Sequence, residues 1–139
     1  MSAQISLILD DSLKPQDDLL FAFDVIVDRW SRYGYALGKV AWKDEIKKFL
    51  IEVNDKVYFS SADHLSYAFR VRSPEGAIYE WKDDDWETWA WECILREIKR
   101  KNAEDIILVV SRHFWWVYLQ KDRYKNIVDI CRLALNILK

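Results

Sequence analysis

Residues able to do chemistry are thinly spread along this chain. Two histidines occur, His64 in FSSADHLS and His113 in VSRHFWW. Asp63 precedes His64, and Ser60, Ser61 and Ser66 lie close by, so the residue types of a nucleophile–base–orienter triad are present. Neighbours along one chain segment do not form a triad, because its geometry is assembled from separate elements. The histidines match neither His-x-His nor His-Glu-x-x-His spacing, so no metal site is expected. Asp10 and Asp11 end an apolar segment, as acids do in phosphoryl-transfer folds, but the alternating strand–helix pattern of those folds is missing. With only Gly34, Gly38 and Gly76 available, the Gly-rich loops that cradle nucleotide phosphates are excluded, and no cofactor is expected.

The densest chemistry lies in YEWKDDDWETWAWE, residues 79–92, with four tryptophans and six carboxylates. Asp83, Asp84 and Asp85 precede an apolar periodicity, so one of them is placed to cap a helix and the others favour its N-terminal dipole. At about 100° per residue, Ala90, Trp91, Ile94, Leu95 and Ile98 share the core stripe. Trp86, Trp89 and Cys93 lie on its flank, which continues as Arg96 and Arg100. Either the two flank indoles cover the protein's own edge or they anchor a partner, as exposed Trp and Arg do at interfaces. Glu87 falls on the core stripe. If buried, it would be the best general-acid candidate in the chain.

Charge is unevenly distributed. Residues 1–30 hold six Asp against Lys14 and Arg29, whereas residues 96–125 hold eight Lys or Arg against four acids. The basic segment is interleaved with aromatics, so Arg96, Arg100, Arg112, His113, Trp115, Lys121 and Arg123 form a conceivable single-stranded nucleic-acid surface. The acidic alternative is a protein-partner surface made of Tyr79, Trp81, Asp83, Asp84, Trp86, Glu87 and Trp89. There, carboxylates would steer a basic partner and aromatics would hold it.

The elements that must position these residues follow from periodicity. QISLIL at 4–9 alternates as a strand. Leu19, Phe23, Ile26, Trp30 and Tyr33 follow helical spacing over 15–33, after Pro15 in a first turn. Gly34 and Gly38 then read as breaks. Trp42, Ile46, Phe49 and Val53 predict a second helix over 41–53, and KVYFSS reads as a short strand. Tyr67, Phe69 and Val71 alternate against Ala68, Arg70 and Arg72, and Ser73-Pro74-Glu75-Gly76 turns this strand into AIYEW. A helix is expected from Asp85 to Lys101. Residues 105–119 read as two strands, at 106–110 and 115–119, with a single helix as the alternative. A last helix runs from Asp122 to Leu138. Hairpins outnumber strand–helix–strand units, which indicates an α+β fold with a mostly antiparallel sheet and about four helices, in a single compact domain over 1–139.

Bulk properties agree with a folded domain. The chain has 139 residues, 51% hydrophobic and 32% charged, with a net charge of −2. That balance predicts neither a general nucleic-acid binder nor disorder. Eight tryptophans exceed the needs of a core this size and favour a partner surface. Cys93 and Cys131 sit on apolar helix faces and read as buried small hydrophobes. No secretory signal and no membrane-length apolar run is visible, so a cytoplasmic location is expected. The leading expectation is therefore a small intracellular macromolecule-binding module of accessory, inhibitor or immunity-like type, working through its acidic Trp-rich face. Nucleic-acid binding comes second, and a small acid-base hydrolytic enzyme using Glu87 with His64 or His113 third. A homodimer that pairs the acidic and basic regions across a two-fold axis is a further possibility.

Overall fold

The computed structural model describes residues 19–84, 90–113 and 122–138. Among these residues five strands form one sheet: β1 (Leu19–Asp28), β2 (Ser31–Lys39), β3 (His64–Arg72), β4 (Ile78–Asp84) and β5 (Ile106–His113). Four helices accompany them: α1 (Lys43–Asp55), the single turn α2 (Val57–Ser60), α3 (Ala90–Arg100) and α4 (Asp122–Leu135). The strand order is β1-β2-β5-β3-β4, and every neighbouring pair is antiparallel. Because β2 and β3 both oppose β5, they are parallel to each other, and α1 with α2 makes the connection between them. By the same reasoning β4 and β5 are parallel and are joined through α3. The α+β class with an antiparallel sheet is as the sequence predicts.

All eight residues of the central strand β5 are buried. Its first part, IILVV, is apolar on both sides, as in any strand covered on two faces, and Ser111, Arg112 and His113 continue it as buried polar residues. Ile106, Leu108 and Val110 enter one core with Tyr33, Tyr35 and Leu37 of β2, Ile94 and Ile98 of α3, and Ile127, Ile130 and Ala134 of α4. Ile107 and Val109 enter the opposite core with Ile46, Phe49 and Val53 of α1, Phe59 of α2 and Val71 of β3. Period-two alternation thus sorts one sheet between two helical layers. Cys93 and Cys131 are buried, unbridged thiols in the α3–α4 layer.

Of the helix expected over 15–33, residues 19–33 are instead β1 and the start of β2, and 15–18 lie outside the described residues. The β1–β2 register shifts between Ala22 and Ile26, at a bulge where Asp24 has φ 51°. The bulge interrupts alternation, so apolar residues on both sides of it mimic helical spacing. Arg29 and Trp30 form the two-residue turn, with φ 48° and 75°. These are the left-handed values of a mirror-image hairpin turn, usually supplied by Asn or Gly. No Gly signalled this turn in the sequence. Gly34 and Gly38 do not break the chain; they lie inside β2. A Cβ on Gly34 would sit 2.6 Å from the Tyr58 ring, and one on Gly38 would sit 2.3 Å from the Phe49 ring. The missing side chains let those rings rest on the strand.

KVYFSS is not a strand, since Val57–Ser60 forms the turn α2. The helix expected over 41–53 is α1, and the hairpin about Pro74 is β3–β4. Gly76, at φ 95°, completes that turn with its N–H on the Ser73 carbonyl. Residues 106–113 form one strand, which removes the helical alternative for 105–119. The strand proposed for 115–119 lies outside the described residues, as does QISLIL at 4–9.

Candidate partner interface

The α1 start and the sheet edge together build an aromatic surface. Trp42 is the N-cap residue of α1 and offers no side-chain cap. Instead the Glu45 carboxylate reaches back and accepts the Ala41 N–H at 2.8 Å, which fixes the entry of the chain into the helix. This sets the Trp42 ring edge-on against Tyr79 of β4, with centroids 5.3 Å apart and planes at 73°. The Lys43 ammonium lies 5.3 Å from the Trp42 centroid and 5.6 Å from that of Tyr79. An edge-on aromatic pair contributes about 0.5–1.5 kcal/mol beyond its burial, and an exposed cation–π contact about 0.5–1 kcal/mol. Even so, Tyr79 remains 47% exposed.

Leu65, Tyr67 and Phe69 of β3 are only partly buried on the same sheet face. Register puts Trp81 opposite Phe69, and Asp83 opposite Tyr67. On the other face Glu80 is held by Arg70 at 3.3 Å and by Lys99 of α3 at 3.5 Å, so its charge is already matched. Among the described residues no strand lies beyond β4.

Of the residues expected to bind a partner, Tyr79 is exposed, and Trp81, Asp83 and Asp84 follow it along β4. The side chains of these last three lie outside the described ones. Trp86, Glu87 and Trp89 lie wholly outside, so the general-acid role considered for Glu87 is not placed. Ala90, Ile94 and Ile98 are buried as the core stripe requires. The Trp91 side chain lies outside the described ones. Trp42 and Lys43 belong to this surface but were not singled out in the sequence. Trp42 fits an apolar helical stripe, and nothing local to it shows that the stripe ends on an exposed tyrosine 37 residues later.

The described members of the basic set stand in different surroundings. Arg112 and His113 are buried, at 4% and 8% exposure. Arg100 binds Glu97, and the exposed Arg96 lies 3.5 Å from the Cys93 sulfur. Trp115 and Lys121 lie outside the described residues. Arg123 is in the first turn of α4, but its side chain is not described. His64 and His113 occupy opposite faces of the sheet by strand alternation, so they do not form a direct pair. Among the described residues no group of three His, Cys, Asp or Glu could hold a metal ion. Nor is any helix there long and apolar enough to cross a membrane.

A polar cluster fastens the bulge in β1. The Tyr58 hydroxyl accepts the Asp24 N–H and donates to Asp24 Oδ1, each at 2.9 Å. Arg32 closes on the same carboxylate at 3.0 Å. Burial raises the Tyr58 pKa, so the hydroxyl stays protonated. Burial, reinforced by the positive charge of Arg32, lowers the pKa of His113, whose ring lies 4.3 Å from that of Tyr58. Tyr58, Asp24 and Arg32 satisfy one another and hold the bulged strand to α2, whereas the buried His113 Nε2 has no hydrogen-bond partner among the described residues. Elsewhere, an open cleft of about 740 Å³ runs between β1 and α4, with Val27 and Leu133 exposed along it. Trp30, 73% exposed, stands at the nearby hairpin tip.

Residues 29–135 match the family model of the Impact N-terminal domain. The chain belongs to that family. The matched segment runs from the Arg29–Trp30 turn to the end of α4, and so contains Trp42, Tyr79 and all of β4. The chain is 29% identical over 128 residues to the Protein IMPACT homolog of Schizosaccharomyces pombe, covering 92% of this chain and 45% of that protein. It is 31% identical over 111 residues to Protein IMPACT of Rattus norvegicus, covering 79% and 35%. It therefore spans less than half the length of these Impact relatives. Among solved structures, the two-domain translational regulator Yih1 aligns with a TM-score of 0.57 and 26% identity, over 84% of this chain and 46% of Yih1. A hypothetical protein of known structure aligns with a TM-score of 0.71 over 85% of this chain and 57% of its own, but at 19% identity, which is a likeness of fold.

Proposed function

We propose that this Impact-family chain is a protein-binding module acting in translational regulation, and that it is not an enzyme. Its partner surface is the aromatic face at the β4 edge. The observation that carries this reading is Tyr79, about half exposed though pressed against Trp42, beside half-buried Tyr67 and Phe69. A monomer's interior does not require such a group at an open sheet edge, whereas aromatic side chains of this kind dominate partner binding. The description of Yih1 as a translational regulator supports the regulatory role, and a cytoplasmic site of action follows from it. The run of carboxylates in the sequence from Asp83 to Glu87 makes a basic partner surface the natural complement.

A Trp42→Ala/Tyr79→Ala double variant tests this reading. It is expected to unfold cooperatively, with stability lowered by about 1–2 kcal/mol. It should also lose a protein that the tagged wild type recovers from its cells. If the folded variant recovers the same protein in the same amount, the surface is wrongly assigned.

A further inference from the structure

Main-chain geometry at β4 points to how the partner is held. In an antiparallel sheet, the N–H and C=O of one residue point to the same neighbouring strand, and successive residues alternate. The Arg70 carbonyl accepts the Asp105 N–H at 2.7 Å, and the Arg72 N–H donates to the Asp105 carboxylate at 3.0 Å. Arg70 and Arg72 thus face β5, and Phe69 and Val71 face β4. The Ser73 N–H donates to the Ala77 carbonyl at 2.7 Å, in phase with this pattern. Tyr79, Trp81 and Asp83, which oppose Val71, Phe69 and Tyr67, spend their main-chain groups on β3. Ile78, Glu80 and Lys82 turn theirs outward.

The two sheet edges differ. β1 is interrupted by the Asp24 bulge, a feature that blunts an edge against further pairing. β4 pairs with β3 in unbroken register over all seven of its residues and contains no proline. It therefore offers a regular outward ladder beside Tyr79 and Trp42.

We propose that the partner enters as an added strand: an extended, basic and apolar segment of another protein, hydrogen-bonded to Ile78, Glu80 and Lys82. This rests on the β4 face being the partner surface, and names its mode of recognition. Alternate side chains of the incoming strand fall on the two sheet faces, so those on the Tyr79 side meet the aromatic surface. The preference for basic residues comes from charge. Residues 75–87 carry six acids against one lysine, and of those acids Glu80 is already matched by Arg70 and Lys99. The same acids repel a second copy of β4, which disfavours self-pairing along this edge.

The test uses the full chain, labelled with nitrogen-15, and a capped peptide of about ten alternating lysines and valines, long enough for one strand. Binding should protect the Ile78, Glu80 and Lys82 amides from exchange and should weaken with added salt. A glutamate–valine peptide should bind roughly tenfold more weakly or less. Methylating the peptide nitrogens of one alternate set should abolish binding, and methylating the other set should leave it intact. Lys82→Pro removes an outward N–H and no ladder bond, so the fold should persist while affinity falls roughly tenfold. If the peptide shifts Trp42 and Tyr79 signals without protecting those amides, strand addition is overturned and the aromatic surface stands. Failure of every peptide to bind overturns strand addition too, and the Trp42/Tyr79 double variant then decides the surface separately. Protection that rises with protein concentration alone would make the occupant a second copy and overturn the proposed partner.

Discussion

Glu97 shows how one buried side chain fixes the orientation of two helices. It lies on α3, 3% exposed, and accepts from Arg100 at 2.9 Å and from Arg132 of α4 at 3.0 Å. Burial alone pushes its carboxyl up, but the guanidiniums of Arg132 and Arg100 outweigh that and hold the pKa below the usual carboxylate value. Glu97→Gln keeps one acceptor and loses the charge, and urea unfolding should show a loss of roughly 1–2 kcal/mol, moderated by the exposure of both arginines. Unchanged stability would mean that the pair contributes nothing net. His113 gives a pH signature of its own. Its folded pKa lies below 6.5, chiefly through burial, so the unfolded chain takes up the proton first as pH falls. The associated stability is complete above about pH 6.5 and declines below it. His113→Gln should flatten the slope of stability between about pH 7 and pH 5, whatever it does to the absolute level. An unaltered slope would assign the dependence to other groups.

At the scale of elements, the hairpin β3–β4, the helix α1 and the apolar half of β5 were legible because each has one dominant period and a local stop signal. The β1–β2 hairpin was not. Its bulge at Asp24 breaks the two-residue alternation, and its turn uses Arg29 and Trp30 where Asn or Gly would have announced it. The glycines of β2 misled for a related reason. They are small because Tyr58 and Phe49 lie on the strand, a tertiary demand with no local trace. Gly38→Ala tests that demand directly. Phe49 is buried and cannot yield freely to a Cβ at 2.3 Å, so a loss of about 1–3 kcal/mol is expected in chemical denaturation. Wild-type stability in this variant would show that the ring can move aside. KVYFSS failed as a strand because Phe59 reaches the core from a helical turn, where strand propensity is overridden by packing.

For the whole molecule, two split crossovers place β5 at the centre of the described sheet and β4 at its edge, and this decides what the described part can present. The candidate surface was half legible. Tyr79 and the acids of β4 stand out as composition, whereas Trp42 and Lys43 join them only through the crossover from β2 to β3. Within the basic set, the burial of Arg112 and His113 was not legible, because they are in β5, whose position at the sheet centre cannot be seen from charge spacing. The chain corresponds to less than half the length of the Impact relatives it matches. The claim that the β4 face meets a protein is tested most directly by a photo-crosslinking amino acid placed at position 79 in living cells, with the exposed position 47 on α1 as control. A discrete protein adduct is expected at 79, insensitive to nuclease, absent at 47 and lost when Trp42 is also replaced by Ala. Equal crosslinking at both positions, or adducts at 79 that nuclease removes, would contradict it.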